Sequence, residues 1–308
     1  MKGRCGYFVY ACLAGSLALS SYAQLATTTA LVGTVSDSNG AVVPGAKVTA
    51  VNTGTGDTYS ANTNDQGNYS IQFVRTGGYS LTVEKNGFQK LQKTGIVVEE
   101  NQIVRNDVTL TVGSLTQSVT IAGEAPVIKT DDASVSENIQ SRQVSELPLN
   151  GRDPMRLATV TSGVIQGQKA SNGVPPGEDF IGAGTREIQN EMSLDGISIM
   201  NNLITTTPSR PMVEAVQEVQ VQTGTYSAQY GAYMGVHINM ITKSGTNDLH
   251  GAALEFVRNN IFDARPYFLP STSSQPPLRQ NQFGFELDGP IIIPKLYNGR
   301  NKTFFMGS

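Results

Sequence analysis

Tryptophan is absent from the 308-residue chain, and cysteine and histidine occur only twice each. Charge is also scarce: 15% of the residues are charged, with 22 lysine and arginine residues against 25 aspartate and glutamate residues. The chain therefore lacks the basic excess of a nucleic-acid binder. Without tryptophan, direct binding of sugars is poorly supported, because aromatic stacking is left to scattered tyrosines.

The N-terminus has the pattern of a secretory signal. A basic start precedes an apolar run from Tyr7 to Leu19 and a small-x-Ala end at Ala23. We expect cleavage between Ala23 and Gln24, which makes residues 1–23 the signal. The alternative is a membrane anchor, but the run is shorter than the ~20 residues that a spanning helix needs.

The predicted signal contains both cysteines, Cys5 and Cys12. An exported chain that begins at Gln24 therefore has no disulfide, no thiolate metal site and no cysteine nucleophile. Loss of the two basic residues Lys2 and Arg4 also changes the formal net charge from −3 to −5. These features predict an exported, mildly acidic protein without covalent cross-links.

Motifs for catalysis and cofactor binding are missing from the sequence. The two histidines, His237 and His250, lie in no HExxH arrangement, so a zinc peptidase is not supported. No GxxxxGK[ST] loop, no GxGxxG between a strand and a helix, and no GxSxG elbow occur. The adjacent pairs Glu99-Glu100 and Asp131-Asp132 would point to opposite faces of a strand. We therefore predict no enzyme, no metal site and no cofactor.

Short β-prone runs separated by Gly, Asn and Asp turns fill the first part of the mature chain. Asn39-Gly40 suits a hairpin, and Pro44-Gly45 suits a type II turn. Seven strands at this spacing predict a β-sandwich. The predicted strands lie near 29–37, 46–53, 57–63, 67–74, 77–85, 92–100 and 102–111. Asn62, Asn64, Asp65 and Asn68 cluster at one turn, but no bidentate Glu completes a calcium ladder, so turn chemistry explains them.

Two stretches in this region carry a family resemblance: GTVSDSNGAVVPGAKVTAVNTGTG and NTNDQGNYSIQFVRTGGYSLTVEKNGFQK. They resemble the carboxypeptidase regulatory-like domain. The resemblance implies a transthyretin-like sandwich, also described as a carbohydrate-binding-like fold, over residues 24–112. It implies no peptidase activity, because such domains accompany a separate catalytic domain.

Residues 113–130 form a predicted connector with one β-prone run. The run consists of Gln117, Ser118, Val119, Thr120, Ile121 and Ala122. It resembles a TonB box, which implies strand addition to a TonB-type energy-transducing protein through backbone pairing. The alternative is an ordinary linker that contains one extended segment.

From Asp131 the pattern changes to mixed α/β over residues 131–247. We predict a short helix over 139–147 that Pro148 ends, and a second helix that begins at Asp153-Pro154 and ends before Gly163. Residues 166–185 are rich in Gly and Pro and are predicted to form a long loop that contacts an external ligand. Asp195-Gly196 is predicted as a turn between paired strands, and residues 211–216 as a short helix that leads into a strand.

Four ordered blocks give this second region its own resemblance: ELPLNGRDP, MSLDGISIMNN, EAVQEVQVQTGTYSAQYG and GVHINMITKSGTNDLHG. They resemble the plug of TonB-dependent receptors of the Oar-like kind. The stretch KSGTND predicts a tight connection from the last plug strand to the first strand of a transmembrane β-barrel. After it, residues 248–308 resemble the opening barrel segments of the same receptors.

The barrel resemblance has support from alternation. Phe283, Phe285 and Leu287 alternate with polar residues or glycine, as a wall between lipid and a polar lumen requires. The resemblance implies a barrel of about 22 strands, and the strands alone need roughly 200–240 residues. The 61 residues after Asn247 are too few, so we expect an incomplete barrel and an N-terminal receptor fragment that does not transport by itself.

The combined expectation is a mainly β outer-membrane receptor of a Gram-negative-type bacterium, with the N-terminal domain in the periplasm. The resemblance implies outer-membrane lipid, a TonB-type protein and an unidentified ligand as partners. The ligand classes are an oligosaccharide, a peptide or a metal chelate. The alternative is a secreted or periplasmic adhesion or carbohydrate-binding protein that uses only the sandwich.

Overall fold

Strands dominate the computed structural model, and its helices are short. The described residues are 29–113, 118–122, 134–147, 149, 152–167, 180–186, 189–200, 211–226, 230–231, 233–270 and 272–308. The predicted signal and its cleavage point at Ala23 and Gln24 lie outside these residues. No helix in the described ranges is both long and apolar enough to cross a membrane.

The first nine strands form the predicted sandwich, with β9 coming from the predicted connector. One sheet has the order β4-β1-β7, with β8 also on β1, and the other has the order β3-β2-β5-β6-β9. The strand bounds are β1 Ala30–Asp37, β2 Lys47–Asn52, β3 Thr58–Asn62, β4 Asn68–Gln72, β5 Gly77–Glu84, β6 Lys90–Val98, β7 Ile103–Arg105, β8 Val108–Leu110 and β9 Ser118–Ala122.

The predicted seventh strand is two strands in the structure, β7 and β8. Both run parallel to β1, but they pair with different parts of it. The break falls at Asn106-Asp107, where the Asn106 N–H donates to the Val32 carbonyl and Asp107 Oδ1 accepts from the Thr34 N–H at 2.8 Å. Local bonds to β1 at this point, which no propensity pattern encodes, therefore divide the strand.

The sandwich core forms where the inward side chains of the two sheets meet. Leu31, Leu81 and Val83 are fully buried, and each such side chain stabilises the fold by about 1.5–3 kcal/mol. Two buried tyrosines also hydrogen bond: the Tyr69 hydroxyl donates to the Asn106 carbonyl at 2.7 Å, and the Tyr79 hydroxyl donates to the Arg75 carbonyl at 2.8 Å. Burial raises the pKa of both phenols, that of Tyr79 to about 12, so both stay neutral donors.

A second core surrounds a five-stranded sheet of order β10-β15-β16-β13-β14. We call the described parts of residues 134–247 the central domain. Its strands are β10 Val135–Gln140, β11 Val164–Gln166, β12 Phe180–Gly182, β13 Glu191–Leu194, β14 Ile197–Ser198, β15 Val216–Gly224 and β16 His237–Thr242. Its helices are α1 Ser141–Glu146 and two 3-10 helices, Pro154–Val160 and Val213–Ala215. Leu157, Val219 and Met240 are fully buried between the helices and the sheet.

Several local predictions for the central domain are confirmed. Asp153 caps the helix that starts at Pro154, because its Oδ1 accepts from the Met155 N–H at 3.0 Å. Asp195-Gly196 forms the turn between β13 and β14, with φ values of 50° and 78° at the two residues. Two positive φ values in a two-residue loop are typical of a type I′ hairpin.

Two other predictions for the central domain are wrong in their bounds. The helix predicted over 139–147 begins only at Ser141, because Ile139 and Gln140 pair with β15 and extend β10. The predicted loop 166–185 has strands at its ends, since Gln166 and Phe180 are partners in the β11–β12 pair. Residues 168–179 of that loop lie outside the described residues.

The last strands form a separate three-stranded sheet of order β17-β18-β21, which we call the terminal sheet. Its strands are β17 His250–Asn259, β18 Arg279–Pro290 and β21 Phe304–Gly307, and a small pair joins β19 Ile292–Ile293 to β20 Tyr297–Asn298. The predicted alternation is confirmed on β18. Phe283 and Phe285 are 83% and 65% exposed, whereas Glu286 is 6% exposed.

The KSGTND stretch joins the five-stranded sheet of the central domain to the terminal sheet, as predicted, but it does not form a hairpin. Strands β16 and β17 belong to different sheets and do not pair with each other. The connection packs closely beneath the terminal sheet, because a Cβ on Gly245 would lie 2.7 Å from the Phe305 carbonyl oxygen and 2.9 Å from that of Gly289. Asn247 also bonds to the Gly54 carbonyl of the sandwich at 3.1 Å.

Candidate partner-binding strand and the contacts between sheets

The β-prone run of the predicted connector forms strand β9. Its residues Ser118, Val119, Thr120, Ile121 and Ala122 pair in parallel with β6, from Lys90↔Ser118 to Thr94↔Ala122. Gln117 lies outside the described residues. The run is therefore not a free linker segment, because it forms the edge of the sandwich sheet.

The chain just before β9 is fastened to the sandwich. The Gln89 N–H donates to the Thr111 carbonyl at 2.9 Å, and the Gly113 N–H donates to the Gly87 carbonyl at 3.1 Å. Phe88 and Val112 form a β-bridge between these two bonds. The bonds bring the chain to the β6 edge, which explains why the run pairs there.

The turn that follows β6 connects the sandwich to the central domain. The Glu99 carboxylate accepts from Asn138 Nδ2 at 3.0 Å and from Gln140 Nε2 at 2.7 Å. Both donors lie on β10. Hydrogen bonds with one charged partner are about twice as strong as neutral ones, so Glu99 is an anchoring residue of this contact.

Asn101 makes the most buried part of the same contact. Its Nδ2 group donates to Gln220 Oε1 at 3.0 Å and to the Tyr230 hydroxyl at 2.6 Å. Gln220 Nε2 returns a bond to the Glu100 carbonyl at 2.9 Å. Asn101 has a φ of 51°, a left-handed conformation that asparagine tolerates better than most residues.

Glu100 lies beside a cavity of about 200 Å³ between the sandwich and the central domain. Burial, followed by the nearby Asp195 carboxylate, raises the pKa of Glu100 to about 7. Asp195 accepts hydrogen bonds from the Thr242 N–H at 2.8 Å and the Thr242 hydroxyl at 2.9 Å. Because burial is the main cause of this shift, loss of the Glu100 proton near neutral pH makes this contact sensitive to pH.

The inner face of the terminal sheet packs on the central domain through charged groups. Lys243 Nζ lies 3.0 Å from Glu286 Oε1, and the Glu286 carboxylate is buried. His250 Nδ1 lies 3.5 Å from Asp288 Oδ1, which places a second polar pair on the same face. The polar residues of β18 thus face the protein, and its large apolar residues face outward.

A second attachment of the terminal sheet centres on Arg152. Its guanidinium pairs with the Glu214 carboxylate and lies 4.2 Å from the centre of the Phe256 ring on β17. Gly284 on β18 leaves room for Met212, whose Cε would lie 2.4 Å from a Cβ at that position. Charge and close packing together hold β17 and β18 against the central domain.

Two protein-family models match this chain, one over the sandwich and one over the segment that contains the terminal sheet. The carboxypeptidase regulatory-like domain matches residues 30–111, and an outer membrane beta barrel domain matches residues 241–308. The TonB-dependent transporter Oar from Myxococcus xanthus is 26% identical to this chain over 290 residues. The chain resembles the TonB-dependent receptors.

The similarity to Oar confirms the predicted resemblance. It covers 89% of this chain and 26% of Oar, so the chain spans about a quarter of the length of that curated relative. The outer membrane transporter YddB from Escherichia coli is 17% identical, with 50% of this chain and 24% of that chain covered and a TM-score of 0.40. The siderophore receptor PirA from Acinetobacter baumannii is 22% identical, with 53% and 23% covered and a TM-score of 0.38.

The three matched proteins named above are a TonB-dependent transporter, an outer membrane transporter and a siderophore receptor. The barrel-domain match and the Oar similarity assign this chain to the outer membrane. The fold is mainly β, with a transthyretin-like sandwich, as predicted. The terminal sheet is open, because its three strands close no barrel within the described residues.

Both histidines contact neighbouring side chains of the fold. His237 Nδ1 lies 3.0 Å from Glu191 Oε2, and its ring lies 4.2 Å from the Tyr226 ring and 5.3 Å from the Tyr230 ring. His250 is the partner of Asp288 described above. Among the residues that the structure describes, no three His, Cys, Asp or Glu side chains are grouped to hold a metal ion.

Sequence reasoning missed the residues that join the sandwich to the central domain. In the sequence Glu99 is only one of two adjacent carboxylates, and no motif or pattern marks Asn101. Gln220 offers the clearest sequence clue, because it is a polar residue within the continuous strand pattern EVQVQ. In the structure it is only 1% exposed. A buried glutamine on a strand needs a hydrogen-bonding partner, which here comes from the sandwich.

Proposed function

We propose that this chain is part of an outer-membrane receptor for energised uptake. In this proposal residues 1–23 are the signal, 24–112 the periplasmic sandwich, 113–130 the connector, 131–247 the plug and 248–308 the first barrel strands. The supporting observation is the two-sided terminal sheet. Phe283 and Phe285 face outward, whereas Glu286 pairs with Lys243 of the central domain and Asp288 pairs with His250 of β17.

The arrangement of the terminal sheet suits a wall between lipid and a plug. The outer face carries the large apolar side chains of β18, Phe283, Phe285 and Leu287, as lipid contact requires, and the inner face meets Lys243 of the central domain. Each lipid-exposed open edge leaves backbone groups unpaired at a cost of several kcal/mol per group. Transport therefore belongs, in our proposal, to a barrel that further strands close, and the three described strands do not transport alone.

Residues 117–122 are the proposed contact site for a TonB-type energy-transducing protein. The described part of this segment is already extended, as strand addition requires. Binding of a ligand at the outer side would be coupled to a pull on this segment, which moves the plug. The proposed ligand is an oligosaccharide, a peptide or a metal chelate that ordinary pores do not admit, and residues 166–185 are the proposed external contact.

We also propose that the chain is not an enzyme. The curated relative Oar is a transporter, and the histidines have structural partners. The sandwich in this proposal is an accessory domain, so the alternative of a secreted or periplasmic adhesion or carbohydrate-binding protein becomes an outcome of the test.

The test combines cell fractionation with partner binding. We expect the chain in the outer-membrane fraction, and we expect its detergent-extracted form to bind the purified periplasmic domain of a TonB-type protein from the same genome. A double change, Val119→Pro and Ile121→Pro, removes two backbone donors and is expected to weaken binding at least ~10-fold. The control is a proline at Ser60, on the opposite edge of the same sheet, and it is expected to leave binding unchanged. A soluble product that binds glycans and no TonB domain would support the alternative.

A further inference from the structure

We propose that the partner strand adds to the open edge of β9 while β9 remains paired with β6. The sandwich and the candidate TonB box would then form one binding surface, and the sheet β3-β2-β5-β6-β9 would gain a sixth strand. This inference rests on the proposed function of residues 117–122 and goes beyond it, because it assigns the sandwich a direct role in receiving the partner.

The geometry of the edge carries the first part of the inference. Strand β9 is the last strand of its sheet, and no described strand pairs with its outer side. A strand bonded on one side directs alternate backbone N–H and C=O groups to the other side. Ser118–Ala122 contains no charged residue and no proline, which are the residues that proteins use to block strand addition.

The short segment between Gly113 and Ser118 supports the second part of the inference. Gly113 is bonded to the Gly87 carbonyl, and five residue steps separate it from Ser118. A fully extended chain spans ~3.3–3.6 Å per residue, so Ser118 stays within about 18 Å of Gly113 even if β9 leaves the sheet. A partner that binds this segment must therefore lie beside the sandwich, whose β6 edge holds β9 in an extended conformation beforehand.

The turn that follows β6 links this binding edge to the central domain. Strand β6 leads directly into the turn where Glu99 and Asn101 bond to β10, β15 and Tyr230. A strand added to β9 is thereby connected through β6 to the central domain. A pull on that strand would act on the central domain through hydrogen bonds as well as along the chain.

The test locks β9 onto β6 with a disulfide. Gln92 and Thr120 are directly paired, and the ~4.8 Å between neighbouring strands suits the Cα separation of a disulfide. The variant Gln92→Cys/Thr120→Cys has no competing cysteine once the predicted signal is removed, since the native ones are Cys5 and Cys12. The reduced form of the same variant and the single variant Gln92→Cys are the controls for folding and for the substitutions.

The readout is the affinity of the full chain in detergent for the periplasmic TonB-type domain. We expect the disulfide to form, and we expect the oxidised and reduced forms to bind within about threefold of each other. Binding that falls more than ~10-fold on oxidation and returns on reduction would show that β9 must leave β6, which overturns this inference and keeps the proposed function. Failure of the disulfide to form would also overturn it, because β9 would then not be paired. Absence of binding in every form, the unmodified chain included, would overturn the proposed function and this inference together.

Discussion

Asn101 allows the contact between the sandwich and the central domain to be measured by substitution. Its side chain donates to Gln220 and Tyr230, and its backbone has a φ of 51°. Asn101→Gly removes both side-chain bonds but keeps a residue that accepts this φ. Two neutral bonds are worth about 0.5–1.5 kcal/mol each, so we expect Asn101→Gly to lower the free energy of unfolding by about 1–3 kcal/mol.

Asn101→Ala separates the backbone contribution from the side-chain contribution. Alanine loses the same bonds and also carries a Cβ in the left-handed region, at a further cost of roughly 1–2 kcal/mol. We therefore expect alanine to destabilise the chain more than glycine, the reverse of the usual order within regular elements. The change Gln220→Ala, combined with Asn101→Gly, should show a coupling of at least ~0.5 kcal/mol because the two residues share a bond.

The assay is equilibrium urea denaturation of the detergent-extracted chain, followed by circular dichroism. The order of stability should be wild type, then Asn101→Gly, then Asn101→Ala. If Asn101→Gly changes the free energy of unfolding by less than ~0.5 kcal/mol, the two bonds do not hold the domains together. If alanine is as stable as glycine, the left-handed backbone at this position is refuted.

Three further predictions concern charge and lipid contact. The pKa of Glu100 is about 7 in the folded chain, above its ordinary value of 4.5, so the free energy of unfolding should fall as pH rises from about 4.5 to 7. The change Glu100→Gln should remove this part of the pH dependence of the urea midpoint. Lys243→Met leaves the buried Glu286 carboxylate unpaired and should lower the free energy of unfolding, measured by thermal denaturation, by about 3 kcal/mol. The double variant Lys243→Met/Glu286→Gln should recover part of that loss. Phe285→Arg on the outer face should weaken membrane insertion by ~2–4 kcal/mol, whereas Gln282→Arg on the inner face should not, as measured by partition into vesicles.

Elements with a strong local signal were predictable from the sequence. Asp195-Gly196 carries the chemistry of a turn with two positive φ values, and the structure has that turn. Phe283 and Phe285 alternate with polar residues, and the structure places the two sets on opposite faces. In both cases the information lies within a few neighbouring residues, so no distant contact is needed to interpret it.

Features that depend on distant partners were not predictable. The pairing of Ser118–Ala122 with β6 is parallel and joins residues about 28 positions apart, and short apolar runs do not specify their partner strand. Ile139 fits a helical pattern but joins β10, because Val219 on β15 pairs with it. The Asn101–Gln220 bond links residues 119 positions apart, so only the folded chain shows that the turn after β6 is a contact site.

The most direct test of the receptor proposal is a measurement of what position 285 touches. The mature chain is expected to lack cysteine, so Phe285→Cys and Thr58→Cys each provide a single site for a fluorescent label in outer-membrane vesicles. A lipid-attached quencher should quench the label at position 285, on the outer face of the terminal sheet, and should leave the label at position 58, on the sandwich, unaffected. Quenching of both labels only by a water-soluble quencher would contradict the account, because the terminal sheet would then not face lipid.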